Sequence, residues 1–154
     1  MGAMTDGNDR VFADRETGMR FISARAMVDH YLERYGRKVG RPIPRIDSAG
    51  RADLRHGSAL VSVTVLEDHG VLLIHAAIGN APAGDQEALY RELLEASYLS
   101  TSDAAFAIDS ATQRIVVRAL RRLSGLDYEE LEDLVETVGT VADEWDERFR
   151  QRKP

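Results

Sequence analysis

Residues 60–78 constrain the fold more than any other stretch. They hold two apolar segments of different periodicity, joined by a short polar link. Leu60 to Glu67 alternates, with Val61, Val63 and Val65 on one side and Ser62 and Thr64 on the other. A period of two in β-branched residues predicts a strand with one face buried. Val71 to Ile78 is apolar on both faces, which predicts a central strand. The link Glu67-Asp68-His69-Gly70 reads as a hairpin loop, and a loop that short makes the pair antiparallel. A chain with this centre needs further strands at its sides and apolar helices to lie on it.

The flanks supply both. Before the centre, Phe21, Ala24, Val28, Tyr31, Leu32 and Tyr35 recur at spacings of three and four, which predicts a helix ending at Gly36. Pro42 and Pro44 keep the next segment extended. Arg51 to Arg55 is a short strand between the turns Asp47-Ser48-Ala49-Gly50 and His56-Gly57, which makes a three-stranded meander. After the centre, Gly79 to Gly84 ends the strand and Asp85 caps a second helix with the stripe Leu89, Leu93, Leu94 and Tyr98. Ala105 to Asp109 and Arg114 to Leu123 are two more strands. The second places Ile115, Val117 and Ala119 opposite Arg114, Val116, Arg118 and Leu120. Asp127 caps a last helix, apolar along Leu131, Leu134, Val135, Val138, Val141, Trp145 and Phe149 and acidic elsewhere.

The predicted order is α-β-β-β-α-β-β-α. It is an α+β fold in which a twisted antiparallel sheet carries its helices on one side. Such a sandwich leaves a second sheet face or a helix face to be covered or used. Residues 16–150 form the single domain expected of 154 residues. Residues 1–15 read as a flexible tail that begins with a cloning scar, Met1-Gly2-Ala3 ahead of Met4, and 151–154 as a C-terminal tail.

Composition narrows the function. Cysteine is absent, which removes disulfides, thiolate nucleophiles and the common zinc sites and suits a reducing cytosol. No apolar run reaches the roughly 18 residues of a membrane span. The net charge of −6 argues against sequence-independent binding to nucleic acid. His30, His56, His69 and His75 have no metal-ligand spacing, Ser58 and Ser62 lie in no nucleophile frame, and the glycines match no phosphate loop. The carboxylate pairs of the last helix, such as Glu129 with Asp133, read as solvated charges. No catalytic residue, metal or cofactor is expected. Arg114, Arg118, Arg121 and Arg122 form the one basic cluster, either a solvated strand face pairing with the acidic last helix or a surface for phosphate or an acidic partner.

Five segments together carry a resemblance: Gly70-Val-Leu-Leu-Ile-His-Ala-Ala-Ile-Gly79, the helix Asp85 to Leu99 with Leu-Leu-Glu-Ala at its centre, Ala105-Phe-Ala-Ile-Asp109, Arg114-Ile-Val-Val117 and Leu123-Ser-Gly-Leu-Asp127. The sequence resembles the class I type III secretion chaperones, the CesT/Tir-chaperone family, over roughly residues 20–150. Ser97 stands where that family usually has Asn, and the N-terminus is longer than in the compact members. The resemblance implies a cytoplasmic, non-catalytic homodimer that holds an extended segment of a secreted effector and keeps it export-competent. The related YbjN-type domain is the alternative, a regulatory or adaptor protein that binds another protein outside secretion.

The second helix carries more apolar surface than a short helix on a small sheet needs. Tyr90, Leu93, Leu94 and Tyr98, with Phe106 and Ile108 of the next strand, are therefore the expected dimer interface. The last helix is too acidic outside to hold an apolar segment. That leaves Phe21, Met27, Ile43, Leu60 and Leu66 to contact a partner, with Ser62 and Thr64 on a sheet face that a passing chain can cross.

Overall fold

The computed structural model describes residues 12–84 and 86–151. The first helix, α1, spans Ala24–Val39. It starts there because Ser23, in an extended conformation, accepts a hydrogen bond from the Ala26 N–H at 3.1 Å. Phe21, expected on this helix, therefore lies ahead of it in a strand. Gly36 does not end the helix; Gly40 does, in the left-handed conformation at φ 71° with its N–H bonded to the Gly36 carbonyl. Glycine is needed at position 36 for a different reason. A Cβ there would stand 2.7 Å from the Arg41 carbonyl oxygen, where the returning chain crosses the helix.

Among the described residues, seven strands accompany it. β1 (Phe12–Ala13) and β2 (Arg20–Phe21) form a small hairpin; β3 (Arg51–His56), β4 (Ala59–Leu66), β5 (Val71–Asn80), β6 (Ala105–Asp109) and β7 (Arg114–Arg122) form one sheet. The sheet order is β3-β4-β5-β7-β6, with every neighbouring pair antiparallel. From α1 onward the order of elements is the one expected. β5 runs two residues past Ile78, through a register shift between Ala77 and Gly79. Gly79 leaves room for a ring: a Cβ there would lie 2.7 Å from Cδ1 of Phe149.

The hairpin β1–β2 was not foreseen. The expected tail, residues 1–15, gives way at residue 12 to this hairpin, and Asp14 is buried. Its Oδ1 accepts the Glu16 and Thr17 N–H groups at 2.8 and 2.9 Å. The Tyr31 hydroxyl also meets this carboxylate and donates to the Leu126 carbonyl at 3.2 Å. Burial raises the Asp14 carboxyl, but these hydrogen bonds outweigh it and hold the group below the usual range. Residues 1–11 and 152–154, the remainder of the two expected tails, lie outside the described residues, while Gln151 belongs to the last helix.

α2 spans Glu87–Leu99, with Gln86 in the cap position and no side-chain cap bond; Asp85, the expected cap, lies outside the described residues. α3 spans Tyr128–Gln151. Its start is fixed reciprocally: Asp127 Oδ1 accepts the Glu130 N–H at 2.8 Å and Glu130 Oε2 accepts the Asp127 N–H at 3.4 Å. α3 lies chiefly across β5, reaching β4, β7 and β3, and α1 meets both α3 and β4. Beneath them, Val61, Val63, Leu72, Ile74, Ile115 and Val117 are fully enclosed. Each such side chain stabilises the fold by about 1.5–3 kcal/mol over its exposed state. Among the described residues the helices all lie on this one side, α2 against Phe106, Ile108 and Ile115, so the other face of the sheet has no helical cover.

Candidate functional site

Two surfaces combine apolar side chains with solvent. The first follows from the register. Asp53 pairs with Ser62, Ser62 with His75 and His75 with Arg118, so these four form a polar row across the bare face of the sheet. The parallel row on one side is Arg51, Thr64, Leu73 and Leu120. On the other side Ala77, Val116 and Ala107 line up, with Leu60 beside Arg55. Leu60 is 43% and Leu120 50% exposed. The polar row is knit together: Ser62 Oγ donates to Asp53 Oδ1 at 2.7 Å, and Arg51 Nε donates to the same oxygen at 2.7 Å. Burial would raise the Asp53 carboxyl, but the hydrogen bonds from Arg51 and Ser62 prevail and hold it low. His75 is pushed below its ordinary pKa, first by burial and then by Arg51.

The second surface is an open apolar groove of about 360 Å³ between α2 and β6, lined by Tyr90, Leu93, Leu94, Phe106, Ile108 and Ile115. Ser97 fixes its shape, donating from Oγ to the Leu93 carbonyl at 2.8 Å and accepting the Phe106 N–H at 3.0 Å. Beside the groove Leu94 is 70%, Tyr98 90% and Leu99 77% exposed. Neighbouring apolar side chains this open are unusual on a protein without a partner.

The expected partner-binding residues divide. Leu60, Ser62, Thr64 and Leu66 share the bare sheet face, but Ser62 is 3% exposed with its hydroxyl taken up by Asp53, so it offers little to a partner. Ile43 is half-buried in a separate groove between the end of α1 and the edge strand β3. Phe21 packs in the N-terminal hairpin, its ring centroid 5.3 Å from His30 and 6.0 Å from Tyr31. Met27 is only 1% exposed and belongs to the core, so it offers nothing to a partner. The extra apolar width of α1 that suggested otherwise is taken up by the sheet and α3. Of the expected dimer residues, Leu93 is buried and the Phe106 ring lies 4.8 Å from Trp145, whereas Leu94, Tyr98 and Ile108 face outward. Leu73, Leu120 and Leu99 belong to these surfaces and were not singled out, although the alternation of β7 already placed Leu120 with Arg118.

Chemistry has little to work with. His56 Nε2 meets Glu136 Oε2 at 2.7 Å, and Tyr35 donates to Glu136 Oε1 at 2.6 Å. Burial raises the Glu136 carboxyl, but those two hydrogen bonds overcome it and keep the carboxylate ionised. The trio ties α1, β3 and α3 together, with Tyr35 also lining the groove that holds Ile43. Ser58 donates to Asp143 with no imidazole between them. Among the described residues no group of three His, Asp or Glu converges as a metal site. No helix among them is long and apolar enough to cross a membrane.

A family model for the Tir chaperone protein (CesT) family matches residues 30–146. No curated protein matches the sequence. Among solved structures, a chain of the ExsC–ExsE complex superposes with a TM-score of 0.65 at 21% identity, covering 80% of this chain and 93% of that one. A chain of the heterodimeric ExoU–SpcU complex from the type III secretion system of Pseudomonas aeruginosa does so with a TM-score of 0.56 at 21% identity, covering 77% and 97%. YbjN from E. coli matches at a TM-score of 0.52 and 14% identity, covering 77% and 91%.

Proposed function

The chain belongs to the Tir chaperone protein (CesT) family, and from that premise we propose that it is a type III secretion chaperone that binds a segment of a secreted effector and keeps it export-competent. The observation that carries this reading is the pair of uncovered apolar surfaces on one small protein, one on the sheet and one beside α2. Two surfaces allow two tasks. The α2–β6 groove, with Leu94, Tyr98 and Ile108 outward, receives a second copy and closes a homodimer. The sheet face, with Leu60, Thr64 and Leu66, takes the effector segment, helped by Ile43 and by Phe21 at the N-terminal hairpin. An extended chain can cross such a face on side-chain rows of matching period, and it can add as a strand only at the edges β3 and β6, where backbone groups are free. The work is binding in the cytoplasm, without catalysis or cofactor.

The likeness to YbjN supports a second reading, a regulator or adaptor that binds a protein outside secretion. One experiment separates them. The protein is captured from its native cell, the protein held with it is identified, and export of that protein is compared with and without this chain. Loss of export supports the chaperone; unchanged export of a stably bound partner refutes it and favours the adaptor.

A further inference from the structure

The uncovered sheet face carries a charge opposite to that of the whole protein. Arg51, Arg55, Arg114, Arg118 and Arg122 lie on it, against Asp53 and Asp109. Asp53 is already held by Arg51. The protein as a whole carries −6, and its acidic excess is gathered on α3, behind the sheet.

The arginines on this face are also left over. Elsewhere many cations find carboxylates, Arg25 with Glu67, Arg34 with Glu16, Lys38 with Glu132, Arg148 with Glu144 and Arg150 with Asp146, while Arg15, Arg20, Arg41 and Arg45 form no ion pair among the described residues but do not gather on one strand face. Within the basic cluster of β7 the division is by face. Arg121 points to the helix side and holds Glu130 of α3 at 2.8 Å. Arg55, Arg114, Arg118 and Arg122 form no ion pair among the described residues. These four stand around the apolar side chains Leu60 and Leu120, which are open, and Val116, 8% exposed between them. An apolar centre with unpaired arginines at its border is the arrangement of a protein-binding surface, where arginine is enriched and the charged rim selects the partner.

We propose that this sheet face selects an acidic partner segment, one in which apolar side chains seated near Leu60, Val116 and Leu120 alternate or interleave with Asp or Glu that pair with Arg55, Arg114, Arg118 and Arg122. This rests on the reading that the chain binds a protein segment, and it names that segment's chemistry. Nucleic acid fits the face poorly. Among the described residues the face displays no Phe, Tyr or Trp for a base to stack on, its one imidazole, His75, is half-buried, and two aspartates stand among the arginines. A carboxylate on an extended or helical segment instead meets a guanidinium in two-point fashion, a geometry lysine does not reproduce.

The test measures fluorescence anisotropy at low salt with two labelled peptides, one of repeated Glu-Leu-Ser and one of repeated Lys-Leu-Ser. The Glu peptide is expected to bind at least about ten-fold more tightly, and added salt should erode the difference. Arg118→Glu with Arg122→Glu should abolish the preference while the melting temperature stays put. Arg118→Lys with Arg122→Lys should retain part of it, and the control Arg148→Glu with Arg150→Glu on α3 should leave it intact. Equal binding of the two peptides, or no binding of the Glu peptide, overturns the proposal. So does a duplex DNA oligomer that binds as tightly through the same arginines. A salt-sensitive rise in molecular mass abolished by the same double substitution would also overturn it, since the occupant would then be a second copy's acidic α3. The two readings fail separately. A captured effector segment that binds the Glu double variant undiminished sinks the acidic-partner proposal and leaves the chaperone standing. Arginine-dependent peptide selectivity in a protein whose natural partner is not exported does the reverse.

Discussion

Gly139 sits inside α3, where replacing glycine by alanine ordinarily helps. An alanine in a helix interior is favoured over glycine by about 1 kcal/mol. Here the sign should reverse. A Cβ at position 139 would lie 2.7 Å from both Cβ and Nδ1 of His56. Rotating the imidazole away cannot relieve this, because the His56 Cβ is fixed to the backbone of β3. Either α3 lifts off β3 or the strand shifts, and overpacking of this kind costs about 1–3 kcal/mol. The same movement draws His56 Nε2 from Glu136 Oε2, now 2.7 Å apart, and disturbs the Tyr35 hydrogen bond at 2.6 Å to the other oxygen. Losing one charge-assisted bond at this half-exposed site adds about 1 kcal/mol, at the low end because solvent screens it. After the helix gain is deducted, Gly139→Ala should destabilise by about 1–3 kcal/mol, lowering the melting temperature by roughly 3–10 °C. Urea unfolding with an unchanged m-value measures it directly. His56→Ala removes the ring but not the Cβ, so in that background Gly139→Ala should cost measurably less, a coupling visible in the double-mutant cycle. A Gly139→Ala protein as stable as the parent, or more so, would refute the close packing of α3 on His56.

Other expectations follow from burial and exposure. Leu94→Asp, at a position 70% exposed, should leave the protomer folded and turn the proposed dimer into a monomer by light scattering; a dimer unchanged in mass would place the interface elsewhere. Met27→Asp should cost about 3 kcal/mol or more, whereas Leu60→Asp should leave the melting temperature nearly unchanged and weaken partner capture; equal loss of stability in both would remove Leu60 from the binding face. Stability should fall on acidification in two stages. His75 is held below its ordinary value of 6.5, so the unfolded chain takes the proton more readily and stability present at higher pH is lost as pH drops below about 6.5. The lowered carboxyls of Asp14, Asp53 and Glu136 extend the loss as pH falls through about 4 and below. His75→Gln should abolish only the upper stage, and melting temperatures that match at pH of about 7.5 and 5.5 in the parent protein would contradict it.

The sheet was readable where periodicity was strong. Val61, Val63 and Val65 declare the buried face of β4, and the doubly apolar β5 lies in the middle of the sheet as expected. The N-terminal hairpin was not readable, because two-residue strands carry no period. Its anchor is a contact between Asp14 and Tyr31 and another between Tyr31 and Leu126, distant in sequence. Gly36 misled because a glycine near a helix end suggests a cap, and only the folded chain reveals the Arg41 carbonyl pressing on it. Met27 misled because width of apolar surface on one helix does not say what covers it. In the α2 region the surplus of Leu94 and Tyr98 was legible, since nothing local could bury them. The splitting of the arginine cluster, with Arg121 bound to Glu130 and Arg118 free on the other face, follows from strand alternation, but only once the face under α3 is known.

The order β3-β4-β5-β7-β6 also has a kinetic consequence. The sheet is two locally closed pieces, the meander β3-β4-β5 and the hairpin β6-β7, sewn together along β5 and β7 alone. Each piece needs only short loops, so each can zip early; the seam must wait for the α2 segment to fold back and close the larger loop. α3 then lies over strands from both pieces. A chain emerging from the ribosome can thus pair most of its strands while the apolar side of the sheet is still open, and that side closes only when α3 has been synthesised. Until then the growing chain exposes the kind of surface that chaperones attend to, and a released chain truncated after Gly125 should stay protease-sensitive where the full chain does not.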